Sequence, residues 1–105
     1  MSKKTLNNLS IIIPFYNEQH RLLESLKTLN NYFIKKNNIE MIFVNDGSTD
    51  KSDLIICKFI KKYKKIFKIK YIKYKKNIGK GFAIKKGILN SKKEWMLICD
   101  ADMSV

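Results

Sequence analysis

At 105 residues, 45% of them hydrophobic and 11% aromatic with only four Gly and one Pro, the chain has the composition of one folded domain, which excludes a disordered or fibrous protein. Lys and Arg number 22 against 9 Asp and Glu, a formal net charge of +13, and such a surface calls for an anion: a nucleotide phosphate, an anionic lipid head group or a nucleic acid. Lys, Ile and Asn dominate the whole chain, as an AT-rich coding bias would produce, so a solvated lysine surface explains much of the same excess.

Met1 to Ser10 is polar and reads as a tail over residues 1–8, without the apolar stretch of a signal peptide. Leu9, Ile11, Ile12 and Ile13 then form a short apolar run stopped by Pro14, the pattern of a strand buried on both faces of a parallel sheet. From Glu18 to about Lys36, Leu22, Leu26, Leu29 and Phe33 recur at helical spacing with polar residues on the other faces. Met41 to Val44 is a second buried strand, cut off by the turn residues Asn45, Asp46, Gly47 and Ser48. Asp50 is placed to cap the next helix, whose Ile56, Phe59, Ile60 and Tyr63 make one face while lysines surround it. In a third strand, Lys68 to Tyr74, the interspersed lysines suit the margin of a sheet. Asn77 to Gly81 is a glycine-containing loop, Phe82 to about Asn90 a short helix in which Gly87 suggests close packing, and Trp95 to Cys99 a fourth apolar strand.

Strands alternating with helices predict an α/β fold: a Rossmann-like parallel sheet with flanking helices and right-handed connections. In such sheets ligands bind at the carboxyl ends of the strands. Every unusual polar segment here follows a strand: Pro14 to Glu18, Asn45 to Ser48, Asn77 to Gly81, and Asp100-Ala101-Asp102. The fold would gather them on one rim. Asp-x-Asp in extended backbone puts two carboxylates on one side, which suits Mg2+ or Mn2+ completing its shell with phosphate and water, although alone the tripeptide is more often a solvated turn. Asp46 can accept from a base imide or simply hold a turn. Tyr16 can stack and Glu18 can accept from a hydroxyl, and Lys80 between two glycines can meet a phosphate or sit exposed in a turn. Cys57 and Cys99 have no CxxC spacing and only His20 to join them, so no zinc site or disulfide framework arises, and a reducing cytoplasmic setting fits. The lysines lack interleaved aromatics in any nucleic-acid motif, so no nucleic-acid partner is expected.

The segments IIIPFYNE, VNDGSTD, NIGKGFAIKKGI and DADMS, spread from Leu9 to Ser104, resemble the family 2 inverting glycosyltransferases of the GT-A fold. The third segment resembles the branch that makes dolichyl-phosphate or undecaprenyl-phosphate glucose, with polyprenyl-phosphate mannose synthases next. That resemblance implies the N-terminal half of a GT-A fold, with residues 9–105 a nucleotide-sugar-binding domain. It implies that Pro14, Tyr16, Glu18 and Asp46 line the base and ribose pocket with Lys80 near it. Asp100 would meet the ribose or the metal shell, and Asp102 would hold a divalent ion, Mg2+ or Mn2+, on the diphosphate. It further implies a UDP-glucose-type donor, a lipid-phosphate acceptor, peripheral association with the cytoplasmic face of a membrane, and a catalytic base beyond Val105. No catalytic residue is therefore assigned within the chain, which would be truncated at its C-terminus. A non-catalytic nucleotide-binding module, or a relative using GDP-mannose or another acceptor, is the alternative.

Overall fold

β1 (Leu9–Phe15) and β2 (Ile39–Asp46) are buried along their whole length, because their apolar side chains are covered on both faces. The computed structural model describes residues 8–101. Within them the order is β1, α1 (Leu22–Phe33), β2, α2 (Ser52–Tyr63), β3 (Lys68–Tyr74), α3 (Lys80–Leu89) and β4 (Trp95–Ile98). All pairings are parallel and the strand order is β3-β2-β1-β4, so the sheet grows one way from β1 and then returns to its other side. This is the expected Rossmann-like α/β architecture.

Side-chain alternation divides the core. Ile11, Ile13, Phe15, Met41 and Phe43 face α1 and α2, where Leu22, Leu26, Leu29, Ile56 and Phe59 meet them. Ile12, Ile42 and Val44 face α3 and pack with Ala83. A Cβ on Gly87 would collide with Ile12 Cγ2, so glycine there lets α3 lie close on the sheet. Each fully buried Leu, Ile or Phe contributes about 1.5–3 kcal/mol.

Several boundaries differ from the sequence reading. Pro14 does not stop β1, which continues through it to Phe15 in register with Val44 and Asn45 of β2. The reason lies in the ladder. Cys99 N–H donates to the Ile12 carbonyl at 2.9 Å, so even-numbered residues of β1 face β4, and at Pro14 the β1–β4 register has already ended at Ile12↔Ile98. The missing amide therefore costs no ladder bond. α1 begins at Leu22 rather than Glu18, after a turn in which the Glu18 carbonyl accepts from Arg21 N and Leu22 N at 3.0 and 2.8 Å. α3 starts at Lys80, directly after Gly79 at φ +133°. Asp50 stands one residue outside the cap position of α2, which Lys51 occupies, yet its Oδ1 accepts from Ser52 N at 2.9 Å.

At the amino end of the sheet lies a feature absent from the sequence reading. Glu40 is 0% exposed. Its Oε1 is 2.9 Å from Lys70 Nζ, and its Oε2 accepts from Ser10 Oγ at 2.7 Å and from Lys92 N at 3.0 Å. The cluster ties the start of β2 to β1, to β3 and to the connection between α3 and β4. Among the described residues, no helix is long and apolar enough to cross a membrane.

Candidate functional site

The loops after β1 and β2 are joined residue by residue. Asn17, left-handed at φ +49°, accepts on Oδ1 from Thr49 N at 2.8 Å and Asp50 N at 3.3 Å, while its own N–H donates to Ser48 Oγ at 2.9 Å. Glu18 N donates to Ser52 Oγ at 2.9 Å and Gln19 N to Asp50 Oδ2 at 3.1 Å. Short polar side chains that bond backbone groups locally usually compete with helix and sheet. Here they hold one loop against another, which orients Tyr16 and Glu18.

The loop after β3 is held by Asp46. This residue is 3% exposed at the end of β2. Its Oδ1 accepts from Ile78 N at 3.1 Å, and its Oδ2 from Asn77 Nδ2 and Gly79 N, both at 2.8 Å. Asn77 Nδ2 also donates to the Asp46 carbonyl at 3.0 Å. Gly47 has φ +73°, and a Cβ there would run into the backbone of Lys76 and Asn77. The turn and the close approach both require glycine. Burial and the adjacent Asp46 carboxylate push the Tyr74 phenol above its ordinary range.

These loops enclose a cavity of about 430 Å³ at the carboxyl rim, within the ~300–1,000 Å³ usual for small-molecule sites. Pro14, Tyr16, Glu18, Asp46, Lys80 and Asp100, all six residues expected to bind a nucleotide sugar, line it. Phe15, Asn77, Gly79, Ala83 and Ala101 line it as well, and had no assigned role in the sequence reading. For Asn77 the signal was present, an amide directly before the glycine loop. Its partner on another strand was not visible.

Lys80 and Asp100 face each other, Nζ to Oδ1 at 2.5 Å, with side chains 61% and 45% exposed. Asp102, the expected metal ligand, lies outside the described residues. Among the described residues no group of three or more His, Cys, Asp or Glu is placed to hold a metal ion. Mg2+ does not require such a cage, since it commonly takes one or two carboxylates and completes its shell with substrate phosphates and water. The all-oxygen donor set of Asp100 beside the cavity fits that chemistry.

Comparison with known proteins places these features among glycosyltransferases. The sequence profile of Glycosyl transferase family 2 matches residues 10–105. The chain is 38% identical to a dolichyl-phosphate beta-glucosyltransferase of Dictyostelium discoideum, over 96% of this chain and 33% of that protein. It is 37% identical to the enzyme of that name in Homo sapiens, over 90% of this chain and 31% of the other. The chain thus spans about a third of the length of these curated relatives. Among solved structures, Staphylococcus aureus TarS 1-349 in complex with UDP-GlcNAc superposes with a TM-score of 0.75 at 26% identity, over 90% of this chain and 26% of that one. The mannosyltransferase PcManGT from Pyrobaculum calidifontis, in complex with GDP-Man and Mn2+, shares the fold with a TM-score of 0.82 at 21% identity, over 96% of this chain and 29% of the other.

Proposed function

Because the chain belongs to Glycosyl transferase family 2, we propose that it forms the donor-binding part of an enzyme transferring a sugar from a nucleotide sugar to a polyprenyl phosphate, with UDP-glucose as the donor. The observation that carries the donor half is the rim cavity, where six residues expected to hold a nucleotide sugar meet. The relatives named dolichyl-phosphate beta-glucosyltransferase support the acceptor and the sugar. The Staphylococcus structure with UDP-GlcNAc supports a uridine nucleotide.

The residues divide the work by chemistry. Tyr16, half exposed at the mouth, offers a ring for stacking, and Glu18 beside it an acceptor for a hydroxyl. A carboxylate has about four lone-pair sites, and three N–H groups of the Asn77–Gly79 loop already occupy Asp46. The Tyr74 hydroxyl lies against the same carboxylate, so a base imide would take the place of one of these donors. Lys80 would exchange Asp100 for a phosphate oxygen, freeing that carboxylate. Asp100 and Asp102 would hold Mg2+ or Mn2+, which when bound supplies Lewis-acid neutralisation of the leaving diphosphate. The sugar transfer is a direct displacement with inversion. An oxygen of the lipid phosphate forms the new bond to the anomeric carbon, the old bond to the diphosphate breaks, and its electron pair leaves with the nucleoside diphosphate. The reaction belongs at the cytoplasmic face of a membrane, with the protein peripheral to it.

Calorimetric titration of UDP, UDP-glucose and GDP-mannose in the presence of Mn2+ tests this reading. Uridine ligands are expected to bind more tightly than GDP-mannose, with binding lost in Asp102→Ala. Equal affinity of the variant would sink the metal assignment, and tighter binding of GDP-mannose would sink the donor.

A further inference from the structure

A second hollow lies away from the rim, between α1 and α2, and encloses about 280 Å³. Its floor is apolar, with Leu26, Phe59 and Tyr63, and Leu23 at its edge is 56% exposed. Lys27, Lys58 and Lys62 line it too, all exposed, and no acidic residue does. Asn30 lines it at 8% exposure. Its Nδ2 reaches Tyr63 Oη at 3.4 Å, while its Oδ1 is buried with no hydrogen-bond partner among the described residues. Buried amide oxygens are rarely left unmatched, which sets this one apart in the lining of the cleft. Leu23 and Ile55 lie in the first turns of their helices, so one end of the cleft begins near the carboxyl rim.

We infer that this cleft is a membrane-docking site for an anionic phospholipid, whose phosphate sits among Lys27, Lys58 and Lys62. A hydroxyl or ammonium of the head group donates to Asn30 Oδ1, and the start of an acyl chain lies on Leu23, Leu26 and Phe59. The three chemistries of the cleft coincide in one such molecule: cationic margin, apolar floor and a buried acceptor. A nucleic acid would leave the apolar floor unmatched. The lysine stems can lie along apolar surface while their ammonium groups stay at the head-group level, as at other interfacial surfaces. Docking by this face places the protein on a bilayer surface without a spanning helix, and does not depend on how the rim cavity is used.

The test is sedimentation of the full chain with vesicles of phosphatidylcholine alone or mixed with phosphatidylglycerol. The variant Lys27→Glu/Lys58→Glu/Lys62→Glu is compared with Lys85→Glu/Lys86→Glu/Lys92→Glu, which makes the same charge change on and just after α3 across the sheet. Binding is expected only with phosphatidylglycerol and falls roughly a hundredfold in the cleft variant, while the α3 variant loses far less. Asn30→Leu, which changes no charge, should weaken binding about fivefold with an unchanged or higher melting temperature. UDP affinity of the cleft variant stays that of the parent, which separates failure of this site from failure of the rim cavity. The inference is overturned if both triple variants weaken binding equally, if phosphatidylcholine alone binds as well, or if ultracentrifugation shows a dimer of the chain that the cleft substitutions abolish.

Discussion

Glu40 and Asp46 lie on the same face of β2 at its two ends, and each holds one end of α3. Asp46 takes the amides of Ile78 and Gly79 just before the helix, and Glu40 takes the amide of Lys92 just after it. Both carboxylates are almost wholly removed from water, which is tolerable only because N–H or ammonium groups surround them. What differs is the remaining side of each acid. Glu40 is closed off by Lys70 and Ser10, whereas Asp46 borders the rim cavity. The same chemical device is therefore a fastening at the amino end and part of a binding site at the carboxyl end.

The largest effect is expected at the fastening. Glu40→Ala takes the acceptor from the Lys92 amide and the counter-charge from the Lys70 ammonium, which is only 24% exposed and keeps just the Asn90 carbonyl, and should cost on the order of 3 kcal/mol in urea unfolding. UDP affinity of the folded variant should be little changed. The double variant Glu40→Leu/Lys70→Met removes both charges and should recover much of that loss, since apolar replacement of a buried pair is often close to neutral. Equal stability of the double and single variants would show that the pair itself stabilises the fold.

Asp46→Asn comes next and should affect both properties. The amide keeps the shape but presents an NH2 group toward loop donors, so about 2 kcal/mol of stability goes with the lost charge-assisted bonds. In contrast with Glu40→Ala, UDP binding should fall at least tenfold by calorimetry, because the loop that leads into Lys80 at the start of α3 loses its anchor. A variant that unfolds more easily yet binds UDP as the parent does would make Asp46 a second fastening and erase the difference between the two ends.

How much of this was legible in the residues follows from the range of each signal. The apolar runs of β1 and β2 and the leucine periodicity of α1 are local, and all three elements exist with the expected type, although their ends differ. The convergence of four loops followed from parallel topology, which is why Pro14, Tyr16, Glu18, Asp46, Lys80 and Asp100 come together. The course of β1 through Pro14 was hidden, because it depends on where a different strand ends. Glu40 was hidden for a similar reason. An acid in a strand ordinarily reads as solvent-facing, and its burial requires Lys70 from β3 and Ser10 from β1 in the correct register. The bonding of Asn17 to Thr49 and Asp50 is likewise a pairing between loops that no spacing announces.

Acid should weaken the fold through two carboxylates, Glu40 at the amino end and Asp53 in the first turn of α2. Burial raises the Glu40 carboxyl, but Lys70, Ser10 and the Lys92 amide outweigh it and hold the group below the ordinary 4.5. Asp53 is lowered chiefly by the Tyr71 hydroxyl and also by Lys73, against its burial. In both cases the folded form binds its proton more weakly than the unfolded chain. The stability these groups contribute is therefore present above their ordinary values and is lost as the pH falls through the folded ones. Melting temperature should decline below about pH 4.5, the ordinary value for Glu40, and Glu40→Gln should flatten part of that decline. An unchanged acid limb in Glu40→Gln would assign it to Asp53 and other carboxylates instead.

The smallest structural effect belongs to Lys80. Its ion pair with Asp100 is short but largely in water, and exposed pairs contribute about 0–1 kcal/mol. Lys80→Met should move the urea midpoint by less than about 0.5 kcal/mol in equivalent stability. If the ammonium leaves Asp100 for a phosphate, the same substitution should weaken UDP several-fold while leaving uridine, which has no phosphate, nearly unaffected. That separation is the counterpart of Glu40→Ala, where stability falls and binding holds. Should Lys80→Met weaken uridine and UDP alike, Lys80 would act by shaping the loop that Asp46 anchors, and the charge at the carboxyl end would serve structure as it does at the amino end.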